Sequence, residues 1–473
     1  MDIRYKRLAS NSIWTLAGNT GSKLIGFLLL PLYTKWLGTA GFGESDLVTT
    51  YATVLMCIMT LSISEAIFVF TKNKSEEDKK SYFSSSLSFV TLLLGAWLIL
   101  WIVLDVVFRA VDMHNSFADN LWFIYAVVVA SFLQQFSQQF VLGIEKVKVY
   151  AFTGIVHTVM TFVFAYILIP TMGVRGYILS MIGSYLVTAI YSFFISHSNR
   201  YFLFSHLEKN RIVEILKYSI PLIPNGIMWW LISAINRPMM EHYLDYSAIG
   251  IYAVASRFPG VITMVFSVFA VAWNISVFEE YGKDGYESFY KKTFKLLFFA
   301  LAIIASLVIF LSYYVIVIFT APEFIEAWKY MIILIVGSFF YCISSFLGTN
   351  FGVVKKSQYF FYSSIHGALS SLLFNILLIP YFGIWGATYS VLISYVVMSL
   401  ARYIYSKKYV KASLIPSVLE YSVFLALVCF ITFAIQSLLI RIVLYLIVLL
   451  VFVLLERKML KPLVDILNGL KAK

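Results

Sequence analysis

The chain has 473 residues, 61% of them hydrophobic and only 13% charged, with 36 Lys and Arg against 24 Asp and Glu. A soluble protein of this length needs far more polar surface, so the composition excludes one and points to an integral membrane protein. The net charge of +12 sits in short turns between apolar runs rather than on a soluble domain, which argues for membrane topology and against nucleic acid as a partner.

Apolar runs of about 20 residues, the length that crosses a bilayer, recur along the whole sequence. No cleavable signal peptide is expected, because MDIRYKRLAS leads straight into the first run. Fourteen spans are expected near 10–34, 42–70, 82–108, 119–143, 149–169, 174–196 and 212–236, then 249–278, 290–319, 327–350, 358–379, 384–406, 416–436 and 438–456. The fold class is therefore an all-α integral membrane protein. No connection is long enough for a soluble catalytic domain and no DxD-type carboxylate motif is present, so no enzyme is expected. If the N-terminus is cytoplasmic, the inner turns hold 28 Lys and Arg and the outer turns hold six: Lys35, Arg109, Arg175, Arg237, Lys329 and Arg441. The positive-inside rule then places both termini in the cytoplasm.

Span 1 carries Gly18-Asn19-Thr20-Gly21, followed by Lys23 about 20 Å into the bilayer at 1.5 Å per residue. A cation at that depth needs water, an anionic partner or an anionic substrate; Glu44 or Asp46 at the start of span 2 is an alternative partner. Glu65, near the inner end of span 2, reads as a gate salt bridge or a titrating group. In span 4, Gln135, Gln138 and Gln139 share a helical face, which either joins helices or hydrogen-bonds sugar hydroxyls. His157 and His366 lack a second histidine at ligand spacing and read as packing residues. Cys57, Cys342 and Cys429 all lie in apolar helices, so neither a disulfide nor a metal site is expected.

Span 7 holds Pro221 and Pro224-Asn225-Gly226, with Arg237 at its outer end, either an interface anchor or a substrate contact. Span 8 carries Arg257 about 12 Å deep, followed by Pro259-Gly260. Proline removes a helical hydrogen bond and glycine loosens the ladder, so Gly18, Gly21, Pro221, Pro224 and Pro259 are candidate hinges; a static kink is the plainer alternative. Trp229, Trp230 and Trp273 are aromatic walls on which sugar rings could stack.

Two segments repeat. Residues 168–185 (LIPTMGVRGYILSMIGSY) and 378–395 (LIPYFGIWGATYSVLISY) share eight of 18 positions at an offset of 210. At an offset of 207, Pro31/Pro238, Leu37/Leu244 and Gly43/Gly250 also match. The chain is thus expected to hold two six-helix lobes, 1–200 and 201–411, related by a pseudo-two-fold along the membrane normal, with two appended helices and a tail over 412–473. In this register Lys23 faces Trp230 and Arg257 faces Thr50, so the lobes differ at their central cations.

The N-terminal stretch LASNSIWTLAGNTGSKLIGFLLLPLYTKWLGTAGFGESDL, the AWNISVFEE that ends span 8 and the two-lobe plan resemble polysaccharide transporters of the Wzx type, in the multidrug/oligosaccharidyl-lipid/polysaccharide exporter superfamily. The resemblance covers about residues 8–410. It implies a flippase that moves undecaprenyl-pyrophosphate-linked oligosaccharide from the inner to the outer leaflet of a bacterial cytoplasmic membrane. Bilayer lipids surround it, and the polymerase and chain-length components of polysaccharide assembly are implied partners. It also implies a cationic cavity containing Lys23 and Arg257; read from the residues themselves, Arg237, Asn19, Asn225 and Gln135 are further candidate substrate contacts, with an interface anchor for Arg237 and helix packing for Gln135 as alternatives. No cofactor is implied; a proton or sodium gradient or the membrane potential could reset the carrier, although no ion site is evident. A peptidoglycan lipid II flippase is the nearest alternative. A cation-coupled multidrug exporter is disfavoured, because the most central charge is Lys23 rather than a carboxylate.

Overall fold

Glycines with positive φ decide where this chain turns back on itself. The computed structural model describes residues 27–457, with helix backbone back to Ile3, and every regular element among them is helical. By packing, the chain forms two units: Met1–Ala253 with Phe319–Glu323, and Val254–Ile318 with Phe324–Lys473.

The first unit contains α1 (Ile3–Met59), α2 (Ile63–Thr71), α3 (Glu76–Ala110), α4 (Ser116–Asp119), α5 (Leu121–Gly143) and α6 (Val147–Ile195). It continues through α7 (Lys209–Ser219), α8 (Leu222–Ser233), α9 (Asn236–Tyr243) and most of α10 (Tyr246–Ala255). Ten helices are long and apolar enough to cross a membrane, or twelve if each bent pair is one span, by length and composition among the described residues. That is fewer than the fourteen expected, because two turns contain no loop. At 49 residues, α6 is more than twice what a bilayer requires, and Gly173 breaks it at φ 55°, ψ −127°. Gly38, at φ 64°, breaks α1 in the same way between the first two expected spans.

The repeated segment explains itself residue by residue. Gly383, ending α15, has φ 53° and ψ −127°, the conformation of Gly173, so both hairpins turn through one left-handed glycine. Three residues on, a Cβ on Gly176 would lie 2.2 Å from the Leu168 carbonyl oxygen, and one on Gly386 2.3 Å from that of Leu378. These glycines let each helix lie against the backbone of its predecessor. Ser390 and Ser394 return their hydroxyls to the carbonyls four residues back, at 2.7 and 2.5 Å, and Ser184 does the same toward Ser180. That pattern satisfies polar side chains where no water is available.

Between α6 and α7 the linker is fastened to the start of α3. Ser84 Oγ donates to the Tyr201 carbonyl and accepts from the Leu203 amide, both at 2.9 Å, and Ser85 Oγ accepts from the Glu208 amide at 2.9 Å. Tyr201 donates to Glu76 at 2.8 Å; burial and that carboxylate push its phenol up to about 12, so it remains a donor. Arg211 of α7 reaches Asp78 at 2.6 Å and lies over the Tyr82 ring.

The second unit contains α11 (Gly260–Glu280), α12 (Tyr286–Phe310), α13 (Ser312–Phe319), α14 (Ala327–Val353), α15 (Gln358–Phe382), α16 (Ile384–Ser406), α17 (Ile415–Ala434) and α18 (Leu438–Leu455). Among its spans α14 is the most buried and α18 the least. Trp273, a possible sugar platform by sequence, is buried instead, stacked on Phe346 at 4.4 Å and donating to Thr349 Oγ1 at 3.2 Å. Arg402, counted by sequence among the inner-turn charges, is fully buried in α16. It donates to Ser363 Oγ at 3.1 Å and the Ser344 carbonyl at 2.9 Å, and lies 4.0 Å from the Phe360 ring centroid. Gly348 leaves room for it: a Cβ there would lie 3.1 Å from the guanidinium.

Replacing Gly173 or Gly383 by alanine is expected to destabilise the protein by more than about 1 kcal/mol each, since alanine resists positive φ. Gly386→Val adds a clash with the Leu378 backbone. Thermal unfolding of the purified protein checks this, and unchanged midpoints for all three variants would refute the account of the repeat.

Candidate functional site

The clearest arrangement in the first unit is a seam where the second half of α1, beyond Gly38, runs alongside α8–α10. At one end the two backbones touch. A Cβ on Gly43 would sit 2.0 Å from the Tyr246 carbonyl oxygen, and one on Gly250 would sit 2.0 Å from that of Thr39. Both pairs, Gly43/Gly250 and Thr39/Tyr246, are separated by 207 positions, the register of the repeat. The contact is therefore reciprocal, as two-fold-related surfaces require. Such an approach admits only glycine and favours weak Cα–H···O contacts. Thr39 Oγ1 adds a hydrogen bond to Ser247 Oγ at 3.2 Å.

Around this crossing lies a charged network. Arg237 of α9 pairs with Asp46 of α1, their side chains 11% and 8% exposed, and its guanidinium lies 5.2 Å from the Tyr252 ring centroid. One turn further, Glu241 accepts from the Tyr51 hydroxyl at 2.8 Å, from the Ser116 amide at 2.6 Å and from the Tyr246 hydroxyl at 3.4 Å. A single carboxylate thus ties together α1, the start of α4, α9 and α10. The segment Phe319–Glu323 docks on the same end, where the Ala321 amide donates to Thr34 Oγ1 at 3.0 Å.

Toward mid-span the seam continues through neutral contacts. Trp230 Nε1 donates to the Thr50 carbonyl at 2.9 Å. Below it, α1 stops at Met59 and restarts as α2 at Ile63, with Leu61 and Ser62 in left-handed conformations and a bend of 53°. Cys57 Sγ lies 3.2 Å from Ser62 Oγ, and a Cβ on Gly226 would approach that sulfur at 2.9 Å. The break in span 2 therefore rests on the glycine of the Pro-Asn-Gly run in span 7.

Of the predicted site residues, Gly18, Asn19, Gly21 and Lys23 lie outside the described residues. Pro221 begins α8, Pro224 is accommodated within it, and the larger bend in span 7, 46°, falls later, at Ala234–Ile235. Asn225 lies in α8 with its side-chain oxygen buried. Pro259 caps α11, and Arg257, with an exposed side chain, occupies the break between α10 and α11. Glu65 lies exposed on the first turn of α2, just past the 53° bend. Gln135 is half-buried; the hydrogen bond along that helix joins Gln134 to Gln138 at 2.7 Å. Arg237 is held by Asp46, and Glu44, the other acidic residue considered for Lys23, accepts from Asn120 at 2.9 Å. Glu241, Tyr51 and Trp230 are the contributors that sequence reading passed over or assigned elsewhere. Glu241 follows Arg237 by one helical turn, and that spacing was the available signal. Among the described residues no group of three His, Cys, Asp or Glu could hold a metal ion.

A family model described as polysaccharide biosynthesis protein matches residues 8–274, and a second, MatE, matches residues 221–377. A membrane protein of Methanocaldococcus jannaschii is 24% identical over 406 residues, 82% of this chain and 95% of that protein. Protein 1 of the Lsg locus of Haemophilus influenzae is 22% identical over 271 residues, 54% of this chain and 63% of that protein. Among solved structures, the lipid II flippase MurJ in an inward closed conformation superposes with a TM-score of 0.73 at 17% identity, covering 95% of this chain and 99% of that one. An inward-facing multidrug resistance MATE transporter gives 0.63 at 14% identity, covering 84% and 94%. A transporter of the same MOP superfamily from Pyrococcus furiosus gives 0.58 at 15%, also covering 84% and 94%. These likenesses establish the fold.

Breaking the largely buried ion pair by Asp46→Ala or Arg237→Ala is expected to cost roughly 3–5 kcal/mol, since either change strands a charge. Removing both residues should cost well below the sum of the single losses. A double-mutant cycle on unfolding midpoints measures the coupling, and strict additivity would dissolve the pair.

Proposed function

The chain belongs to the polysaccharide biosynthesis protein family, and from that premise we propose that it is a flippase for polyprenyl-pyrophosphate-linked oligosaccharide, carrying the sugar unit from the cytoplasmic to the outer leaflet of a bacterial cytoplasmic membrane. Both termini lie in the cytoplasm in this reading, as the distribution of Lys and Arg favours. The Gly43/Gly250 crossing is then the outer gate, and the lobes 1–200 and 201–411 rock about the helix breaks at residues 60–62, 234–235 and 256–259, with 412–473 as an appendage. The membrane potential or an ion gradient resets the empty carrier. Once delivered, the unit passes to polymerase and chain-length components outside.

The observation that carries this reading is the family match over residues 8–274, together with two cations, Lys23 and Arg257, inside apolar spans. In the repeat register Trp230 stands where Lys23 stands, and Thr50 where Arg257 stands. From their depth in the spans and the resemblance, Lys23 and Arg257 are each assigned to pyrophosphate binding, the lysine as a point charge and the arginine through its fork. Asn19, Asn225 and Gln135 supply polar contacts to the sugars, and the prenyl chain stays in lipid. Arg237, paired with Asp46, serves the gate more naturally than the cargo. A lipid II carrier would use the same cations, so the family match is what favours polysaccharide units. A multidrug exporter of this fold has no use for paired cations.

Lys23→Ala and Arg257→Ala should each weaken cargo binding by roughly 10–100-fold, the worth of a charge-assisted phosphate contact, and halt export at normal membrane abundance. Arg257→Lys should retain part of the activity. Surface polysaccharide and lipid-linked intermediates in complemented deletion strains provide the readout; full export by the double alanine variant would overturn the clamp.

A further inference from the structure

Beside the glycine crossing, where α1 beyond Gly38, the α4–α5 junction and the α6 turn meet, the first unit holds a half-open recess of about 460 Å³. Its polar wall is formed by Glu44, Asp119, Asn120 and Arg175, and its apolar side by Phe123 and Met172. The volume falls in the range of about 300–1,000 Å³ typical of small-ligand sites. Asn120 is 5% exposed, and its amide donates to Glu44 Oε1 at 2.9 Å and to the Ser116 carbonyl at 3.2 Å, so the wall is pre-set. Asp119 in turn lies 3.3 Å from His114 Nδ1.

The chemistry of this wall is selective. Two carboxylates repel a pyrophosphate, and the Arg175 guanidinium repels a metal cation. A neutral sugar fits both signs, because each hydroxyl donates to a carboxylate while accepting from a guanidinium, and an aromatic side chain covers the C–H face of the ring. Glu44 directly follows Gly43, so movement at the crossing moves this wall too. We infer that the recess is an exit subsite for a neutral sugar residue of the cargo, engaged on the outer side as the gate opens. The inference rests on the flippase reading and adds a second contact, for the carbohydrate rather than for the pyrophosphate.

The test uses full-length protein in proteoliposomes, with lipid-linked oligosaccharide extracted from the corresponding deletion strain as cargo. Arg175→Gln and Glu44→Gln should raise the half-saturating cargo concentration at least about tenfold, leaving the rate at saturation and the unfolding midpoint near those of the parent. The Arg175 side chain is exposed, so that variant leaves packing intact even if Glu44→Gln proves unstable. Oligosaccharide freed from the same extract by mild acid should compete against the parent protein and not against Arg175→Gln. Unchanged half-saturation in Arg175→Gln, or competition by calcium chloride in place of the oligosaccharide, would overturn the subsite. If the parent protein moves no cargo at all, the flippase reading fails instead, and the two failures are separable.

Discussion

The carbonyls of Thr39 and Tyr246 lie so close to Gly250 and Gly43 that no side chain fits at either glycine, and the rest of the seam follows from that approach. With the backbones in contact, Asp46 comes within reach of Arg237, and Glu241 within reach of Tyr51 and Ser116. Weak Cα–H···O contacts contribute about 0.5–1 kcal/mol each, less than the penalty for stranding a buried charge. The glycines therefore permit closure, and the charged network makes it specific. In the proposed flippase this seam opens as a gate, since its glycine surfaces carry no interlocking side chains.

Much of this was legible in the sequence. The apolar runs and the scarcity of charge dictated a helical membrane fold, and the repeat at 207–210 positions aligned the glycines of both hairpins and paired Gly43 with Gly250. What the repeat could not convey is that equivalent residues touch: Gly43 and Gly250 align as sequence and meet as backbone. Loopless turns at Gly38 and Gly173 were also hard to anticipate, since a single left-handed residue reverses the chain without a polar linker. In span 7 the helix is interrupted at Ile220–Pro221, between α7 and α8, while α8 accommodates Pro224 and the 46° bend falls at Ala234–Ile235, where no proline marks it. Arg402 reads as a topology charge because it lies near a basic turn; only packing shows it buried among the hydroxyls of Ser363 and Ser364.

The two halves share architecture and diverge in chemistry. Where the repeat is strict, at Gly173/Gly383 and Gly176/Gly386, residues answer to backbone geometry. Where it lapses, the sequence has Lys23 and Arg257 at the positions that in the other copy are Trp230 and Thr50.

The most direct measurement is the lipid content of a strain lacking this protein. The account requires polyprenyl-pyrophosphate oligosaccharide to accumulate on the cytoplasmic leaflet, with surface polysaccharide lost and susceptibility to cationic dyes unchanged. Normal lipid-linked intermediates together with heightened dye sensitivity would contradict it and mark the chain as an exporter of drugs.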